Sequence, residues 1–534
     1  MDACDILIHG GTVVDGSGGP GLPAAVVVRG DRLALLPAGS APPPAARLID
    51  ATGLVVAPGF IDLHSHSGLM ILAEPRHEPK VRQGVTTEVI GVDGNSYAPF
   101  RSRDDLLAFA RLNAGLDGLP DGIALDWGST DSYLRRLDGR VAVNLAFMVG
   151  NSALRIEALG WDDVPADEVA LDRMRGLLRE SMEEGAFGIT SGLDYPPGAF
   201  ASTDELAALT AEAAHLGGIY HTHVRYALGD RFLDPFREAI QIGRLGGGPV
   251  HITHFYRRAT APGPAEALIG LVEEARAAGQ DVTWDTYPYE WASTRLLIML
   301  PPWVQAGGPA ALMERLADTA VRDRLRSEMA ARGAMFAGPS AWDDVRLGAL
   351  RTDAYREWEG RTLGELMRAS GTDVVDTACD LLLAEDLRTN QVTPGPAHGS
   401  LGPFLSHPVS MVGTDSTFVG QKPSPRTWGS FPRMLGEFVR DQRLMGLEEA
   451  VRKITSAPAA RLGIPDRGLL RDGMRADITL FDPATVASTA TYDEPRSYPL
   501  GIPWVIVNGV VVVDQGVHTG ALPGRALRRG RAAA

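Results

Sequence analysis

The chain has 534 residues, 45% of them hydrophobic and 22% charged, with a formal net charge of −15. That length exceeds one ordinary core, so one large barrel plus a smaller domain is expected, and the acidic balance argues against nucleic acid or an anionic membrane as a partner, since such surfaces call for basic charge. Only 2 cysteines are present, Cys4 and Cys379; they exclude a disulfide framework and a cysteine zinc motif, point to the cytoplasm, and leave any metal to His, Asp or Glu.

The opening MDACDILIHGG has no charged segment followed by a long apolar core, so no signal peptide is expected. No apolar run approaches the roughly 20 residues of a membrane span. The stretches DILIHGGTVVDGSGG, AAVVVRGDRLALL and RLIDATGLVVAPG read as strands punctuated by Gly, Asp and Pro. ADITLFDP and PWVIVNGVVVV repeat that style near the other end. Residues 1–57 and 466–534 are therefore expected to build one small antiparallel β-domain, a β-sandwich, around everything between them. The closing RALRRGRAAA is expected to be a frayed, solvated tail.

Residues 58–465 alternate differently. Apolar runs at 141–150, 217–223, 248–255, 281–289 and 407–416 are separated by helical patterns such as EVALDRMRGLLRESMEEG, DELAALTAEAAHLG and PAEALIGLVEEARAAG. Each pattern ends at or near Gly, as helices often do. Repeated strand–helix units imply a parallel sheet, and the expected α/β fold is a (β/α)8 TIM-like barrel, with a doubly wound open sheet as the alternative. Residues 303–400 are helical, charged and without clear strands; they read as an insertion over the barrel mouth, either a lid or a structural appendage.

The segment GFIDLHSHS, residues 59–67, carries the clearest chemistry. Strand side chains alternate faces, so His64 and His66 point the same way at the end of a short buried strand. Paired imidazoles chelate metals well. His223, His254, Asp93 and Asp415 also stand at or just after strand ends, which a barrel gathers at one mouth. These six donors suit a divalent ion, zinc first and then manganese or cobalt. His221 competes with His223, and His251 with His254. Asp93 in GVDG also suits a turn and Asp415 in GTDS a helix cap. His9, His77, His215, His398, His407 and His518 carry no readable pattern.

With GFIDLHSH stand QGVTTEVIG, GAFGITSGLDYPPG, YHTHVR, ITHF, DTYPYEWASTRLLIMLPPW, VGTDS, PRTWGSFPRMLG and ITSAPAARLGIPDRGLLRDGMRADITLFDP. Through these motifs nearly the whole chain resembles the amidohydrolase superfamily, and within it the N-acyl-D-amino-acid deacylases. The resemblance implies a metal-bearing barrel with a β-sandwich formed from both termini. It implies His64, His66, His223 and His254 as metal ligands and Asp415 as catalytic aspartate. Asp93 stands where the family has a metal-binding cysteine, which leaves one or two ions open. The family's grip on the substrate α-carboxylate maps to Arg426, Tyr287 and Ser293. Tyr256 replaces the family's lysine, and Asn151 stands where histidine is common.

The implied activity is metal-dependent hydrolysis of the amide bond of N-acyl-D-amino acids, releasing a carboxylate and a free amino acid. Asp415 would act as general base, and His66 or Tyr195 would help to stabilise the oxyanion. Alternatives are a cyclic-amide hydrolase of the hydantoinase or dihydroorotase type, a deaminase on the same barrel, and a catalytically altered family member. No motif supplies the bridging lysine of the first, and the carboxylate-binding trio argues against the second. Oligomeric state is left open.

Overall fold

A computed structural model of the chain describes residues 3–332 and 342–530. Its centre is parallel. Strands Phe60–Asp62, Val85–Ile90 and Asn144–Phe147 form a three-stranded sheet. Val149–Gly150, Gly188–Gly192, Ile219–His223, Val250–Ile252, Val282–Asp285 and Ser410–Met411 form a six-stranded one. Every residue of Val85–Ile90, Gly188–Gly192 and Ile219–His223 is buried, as a sheet covered on both faces requires. The two sheets meet at both ends. Phe187 N donates to Phe147 O at 2.8 Å, and Ser65 bridges in parallel to Ser416.

Helices alternate with these strands where the periodicity expects them. Asp167 caps Glu168–Glu183 through Ala170 N, and Ser202 caps Thr203–His215 through Glu205 N. Ala265–Ala277 follows. Both ends of the chain supply a ten-stranded mixed sheet. Its seam pairs Val55–Pro58 antiparallel with Ile478–Phe481, with Val56 opposite Leu480. Ile6, Val26, Val56, Ile478 and Ile506 fill the core beneath it. Cys4 and Cys379 are buried and free.

Two expectations need correction. Residues 303–400 do contain strands: Arg346–Gly348 and Asn390–Pro394 pair antiparallel with each other, and Asn390–Pro394 pairs with Trp291–Arg295. Three residues, as in Arg346–Gly348, are too few to show alternation in a sequence. Their helices include Gly308–Ala317 and Thr319–Arg332. The tail is also not frayed through Arg529. Ala526 and Leu527 are buried, Leu527 N donates to Leu145 O at 2.7 Å, and Arg528 pairs with Asp138 at 2.8 Å. Two apolar side chains inside a basic run, with an acid waiting for it, dock the segment. Residues 531–534 of the predicted tail lie outside the described residues.

Candidate metal centre

The ends of the parallel strands bring all six predicted donors together. His64 Nε2 lies 3.4 Å from His66 Nε2, 3.4 Å from Asp93 Oδ2 and 3.5 Å from Asp415 Oδ1. His66 Nε2 lies 3.3 Å from Asp415 Oδ1 and 3.6 Å from Asp93 Oδ2. Across the same carboxylate oxygen, His223 Nδ1 stands 3.6 Å and His254 Nε2 3.8 Å from Asp93 Oδ2. Asp93 is thus shared by two groups, one with His64, His66 and Asp415, the other with His223 and His254. All six residues are buried.

The backbone strains to aim these groups. Asp93, His254 and Asp415 have φ of 52°, 36° and 49°, the left-handed region that side chains other than glycine seldom adopt. Such strain persists only where surrounding contacts hold it, and functional sites are where it collects. Asp415 N donates to His64 O at 2.9 Å. Its neighbour Thr414 donates from N to Asp62 Oδ1 at 2.8 Å. Buried Lys80 bonds Asp62 and Thr414 Oγ1. This lattice fixes the histidine pair of the first strand against the aspartate of the last.

Proton positions follow from the outer partners. His66 Nδ1 meets Asp117 Oδ1 at 2.6 Å, and Asp117 Oδ2 accepts from Tyr97 OH at 2.5 Å. His223 Nε2 meets Asp194 Oδ2 at 3.1 Å. A carboxylate opposite one ring nitrogen keeps the proton there and leaves the other nitrogen as a lone pair. With no cation bound, burial opposes charge on His223, but Asp194 and Asp93 outweigh it and push the imidazole up to about 9; a cation would take the place of the second proton and leave Nδ1 as the ligand atom. Burial likewise opposes ionisation of Asp93, yet His64, His223 and His254 hold it well below the usual carboxylate range.

The residues fit a divalent cation. His223 Nδ1 and His254 Nε2 face each other at 2.9 Å. Asp93 Oδ1 is buried with no hydrogen-bond partner among the described residues. Ring nitrogens and carboxylate oxygens converging in this way form an oxygen–nitrogen ligand set of the kind zinc takes.

A cavity of about 40 Å³ opens beside Asp93, His223, His254 and Asp415, walled by Tyr195, Tyr256, Tyr287 and Ser293. Tyr287 OH donates to Tyr256 OH at 2.9 Å, so Tyr256 extends the tyrosine instead of supplying charge. Tyr195 OH meets Thr294 Oγ1 at 2.9 Å, and its ring packs on His223. His64, His66 and Arg426 do not line this cavity. Arg426 is fully buried, donates to Ser293 O at 2.9 Å and sits over the Tyr287 ring. Gln391, Thr393 and Pro394, within the 303–400 segment, also line the cavity. Asn151 is buried nearby and donates to Gly198 O at 3.0 Å.

Sequence reasoning missed Asp117 and Asp194. Asp117 stands in a Leu-Asp-Gly turn and Asp194 within GLDYPPG, where spacing relative to the histidines says nothing of contact. Of the competing histidines, His221 donates to Leu63 O at 3.2 Å and His251 meets Asp285 at 3.0 Å. Both lie beneath the six donors, and His221 groups with His64 and Asp285.

Comparison with known proteins accords with this geometry. A family model described as "Amidohydrolase family" matches residues 47–513. The chain is 36% identical to a D-aminoacylase of Alcaligenes xylosoxydans xylosoxydans, covering 98% of each chain. It is 34% identical to an N-acyl-D-glutamate deacylase of the same organism, covering 99% of this chain and 97% of that one. Among solved structures, the N-acyl-D-glutamate deacylase of Bordetella bronchiseptica, complexed with zinc and a phosphonate mimic of the tetrahedral intermediate, superposes with a TM-score of 0.83 at 31% identity, covering 99% of this chain and all of that one. The shared fold is of the TIM-barrel type with mixed sheets. On these grounds the chain belongs to the amidohydrolase family, on the branch that holds D-aminoacylase and the N-acyl-D-glutamate deacylases.

Proposed function

We infer that the chain is a metal-dependent hydrolase of N-acyl-D-amino acids, cleaving the amide to release a carboxylate and a free amino acid. The observation that carries this reading is the sharing of Asp93 Oδ2 between two histidine pairs, with Asp415 beside them. The handedness rests on the relatives, which act on D-amino-acid derivatives by name.

His64, His66, Asp93 and Asp415 would hold one divalent ion, and Asp93, His223 and His254 a second; zinc is the ion in the Bordetella structure. A bound cation acidifies water and polarises the scissile carbonyl. Asp415 takes a proton from the attacking water as the new C–O bond forms, and hands it to the leaving nitrogen as the C–N bond breaks. Tyr195, on the cavity wall, would donate to the oxyanion. Tyr287 and Ser293 line the pocket for the α-carboxylate, Arg426 backs it with charge, and Tyr256 stands beside Tyr287.

The same reading extends to architecture. If Asn144–Phe147 and Val149–Gly150 count as one interrupted strand, the three- and six-stranded parallel sheets would together make a closed (β/α)8 barrel, a reading supported by the contacts at both of their ends. It would span 58–465, with residues 1–57 and 466–534 forming the β-sandwich. The strands Trp291–Arg295 and Asn390–Pro394 would act as the inner face of a lid, which a cavity of about 40 Å³ supports. The partner is a small molecule, with no nucleic acid or membrane, and the setting is cytoplasmic. The acidic net charge supports the absence of a nucleic-acid partner and the scarcity of cysteine supports the setting; no helix among the described residues is long and apolar enough to cross a membrane.

The test is amine release from matched D and L N-acetyl amino acids and from hydantoins by zinc-reconstituted enzyme. Turnover of linear D substrates alone is expected. Preference for the L series, or cleavage confined to cyclic amides, overturns the reading.

A further inference from the structure

We propose that His221 and Asp285, one layer beneath the metal centre, are positioning residues that fix which nitrogen of His64 carries the proton. The proposal rests on the reading of His64 as a cation ligand.

The argument starts from hydrogen bonds that have a single polarity. A backbone carbonyl only accepts, so the contact from His221 Nε2 to Leu63 O, 3.2 Å long, puts the proton of neutral His221 on Nε2. Its Nδ1 is then a lone pair, and that atom is buried with no hydrogen-bond partner among the described residues. His251 Nε2 meets Asp285 Oδ2 at 3.0 Å, and His251 Nδ1 meets Thr283 Oγ1 at 2.8 Å. The imidazole donates to the carboxylate and accepts from the hydroxyl. Asp285 Oδ1 accepts the backbone N–H of His254 at 2.9 Å. His221 Nδ1 and Asp285 therefore form an acceptor-only floor.

His64 stands above that floor. Its Nε2 faces Asp93, Asp415 and His66. Its Nδ1 is buried without a partner among the described residues, and His64, His221 and Asp285 each place one ligand-type atom within 4.8 Å of the others. The His64 and His221 rings have centroids 5.7 Å apart. Gly413 makes the approach feasible: a Cβ there would stand 2.7 Å from Asp285 Cγ and 2.9 Å from His64 Cβ. If Nε2 faces the cation, the proton of His64 belongs on Nδ1, and the two residues grouped with this ring, His221 and Asp285, offer acceptors. A partner that orients a ligating imidazole typically contributes 10–100-fold in metal affinity. Asp285 has a second task, because its bond to His254 N holds that ligand at φ 36°.

The experiment compares zinc binding, by competition with a chromophoric chelator, in the full-length wild type and in His221→Leu, His221→Gln and Asp285→Asn, with folding checked by circular dichroism. Long-range 1H–15N spectra of 15N-histidine protein report the tautomer; the chain has 12 histidines. The expected result is a His64 with its proton on Nδ1 in the zinc-loaded wild type. His221→Leu should weaken one zinc site by at least tenfold, and His221→Gln, whose amide oxygen accepts, should recover most of it. Wild-type affinity in His221→Leu, or a His64 protonated on Nε2 in the zinc-loaded wild type, overturns the proposal. If His221→Leu does not fold, the glutamine variant and the wild-type spectrum decide. His64→Ala separates the two claims: zinc binding unchanged in that variant removes His64 as a ligand and refutes the underlying reading instead.

Discussion

Arg426 Nη1 stands 2.9 Å from Asp415 Oδ2, so the residue read as a substrate anchor is ion-paired with the residue read as the proton carrier. Arg426 also holds Ser293 O and covers the Tyr287 ring. Anchor and base are thus mechanically joined. Arg426→Gln is expected to raise KM and lower kcat together, by about 10–100-fold in kcat/KM, the range for losing a charged hydrogen bond in a dry site. Steady-state kinetics check this. A rise in KM with kcat untouched would confine Arg426 to binding.

Asp415→Asn keeps the shape and removes the proton acceptor. Turnover is expected to fall by about 10²–10⁴-fold, with zinc still bound through the remaining donors. Metal content and single-turnover rates on the same sample test it. Retained turnover removes Asp415 from proton transfer.

The histidine pair is legible in the sequence because alternation along a strand is a short-range rule, and His64 and His66 obey it within three residues. The pairing of Asp117 with His66 is not legible: 51 positions separate them, and contact is made only when separate strand ends and loops converge. The choice of His223 over His221 and of His254 over His251 needed family resemblance, since neighbouring histidines carry the same chemistry. Lys80 sits in a short helix, Glu78–Val81, where a lysine ordinarily signals a wet surface; here it is fully buried against Asp62 and Glu88. The docking of the tail is not legible either, because its charge count conceals two apolar residues, Ala526 and Leu527.

Removing metal should loosen the whole mouth. Dialysis against a chelator is expected to abolish turnover and lower Tm, and added zinc should restore both. A ligand at a thousandfold excess over Kd stabilises by about 4 kcal/mol. Scanning calorimetry at graded zinc concentrations measures it, and a Tm indifferent to zinc would contradict the assigned donors.

Glu88 makes stability acid-sensitive. Burial opposes its charge, but His77, Lys80 and Ser67 outweigh burial and hold the carboxyl at about 2, against an ordinary 4.5. Because the folded value is depressed, the stabilisation is complete above pH 4.5 and is lost as pH falls towards 2. Its size is about 3 kcal/mol. Glu88→Gln should therefore be less stable than wild type at pH 7, with the gap narrowing below pH 4.5. Urea titrations at pH 3, 5 and 7 test the sign; a gap that ignores pH rejects the assignment.

The seam between Val55–Pro58 and Ile478–Phe481 joins segments that lie far apart in the chain, one made long before the other. A nascent chain emerging from the ribosome cannot complete it until the last of these residues has been synthesised. Through all that time Val55 and Val56 lack their final neighbours, and the apolar face beneath them stays open to other chains. Assembly of this sheet thus waits for the later segment, and a message cut short before it leaves a sticky half-sheet for chaperones or proteases to clear.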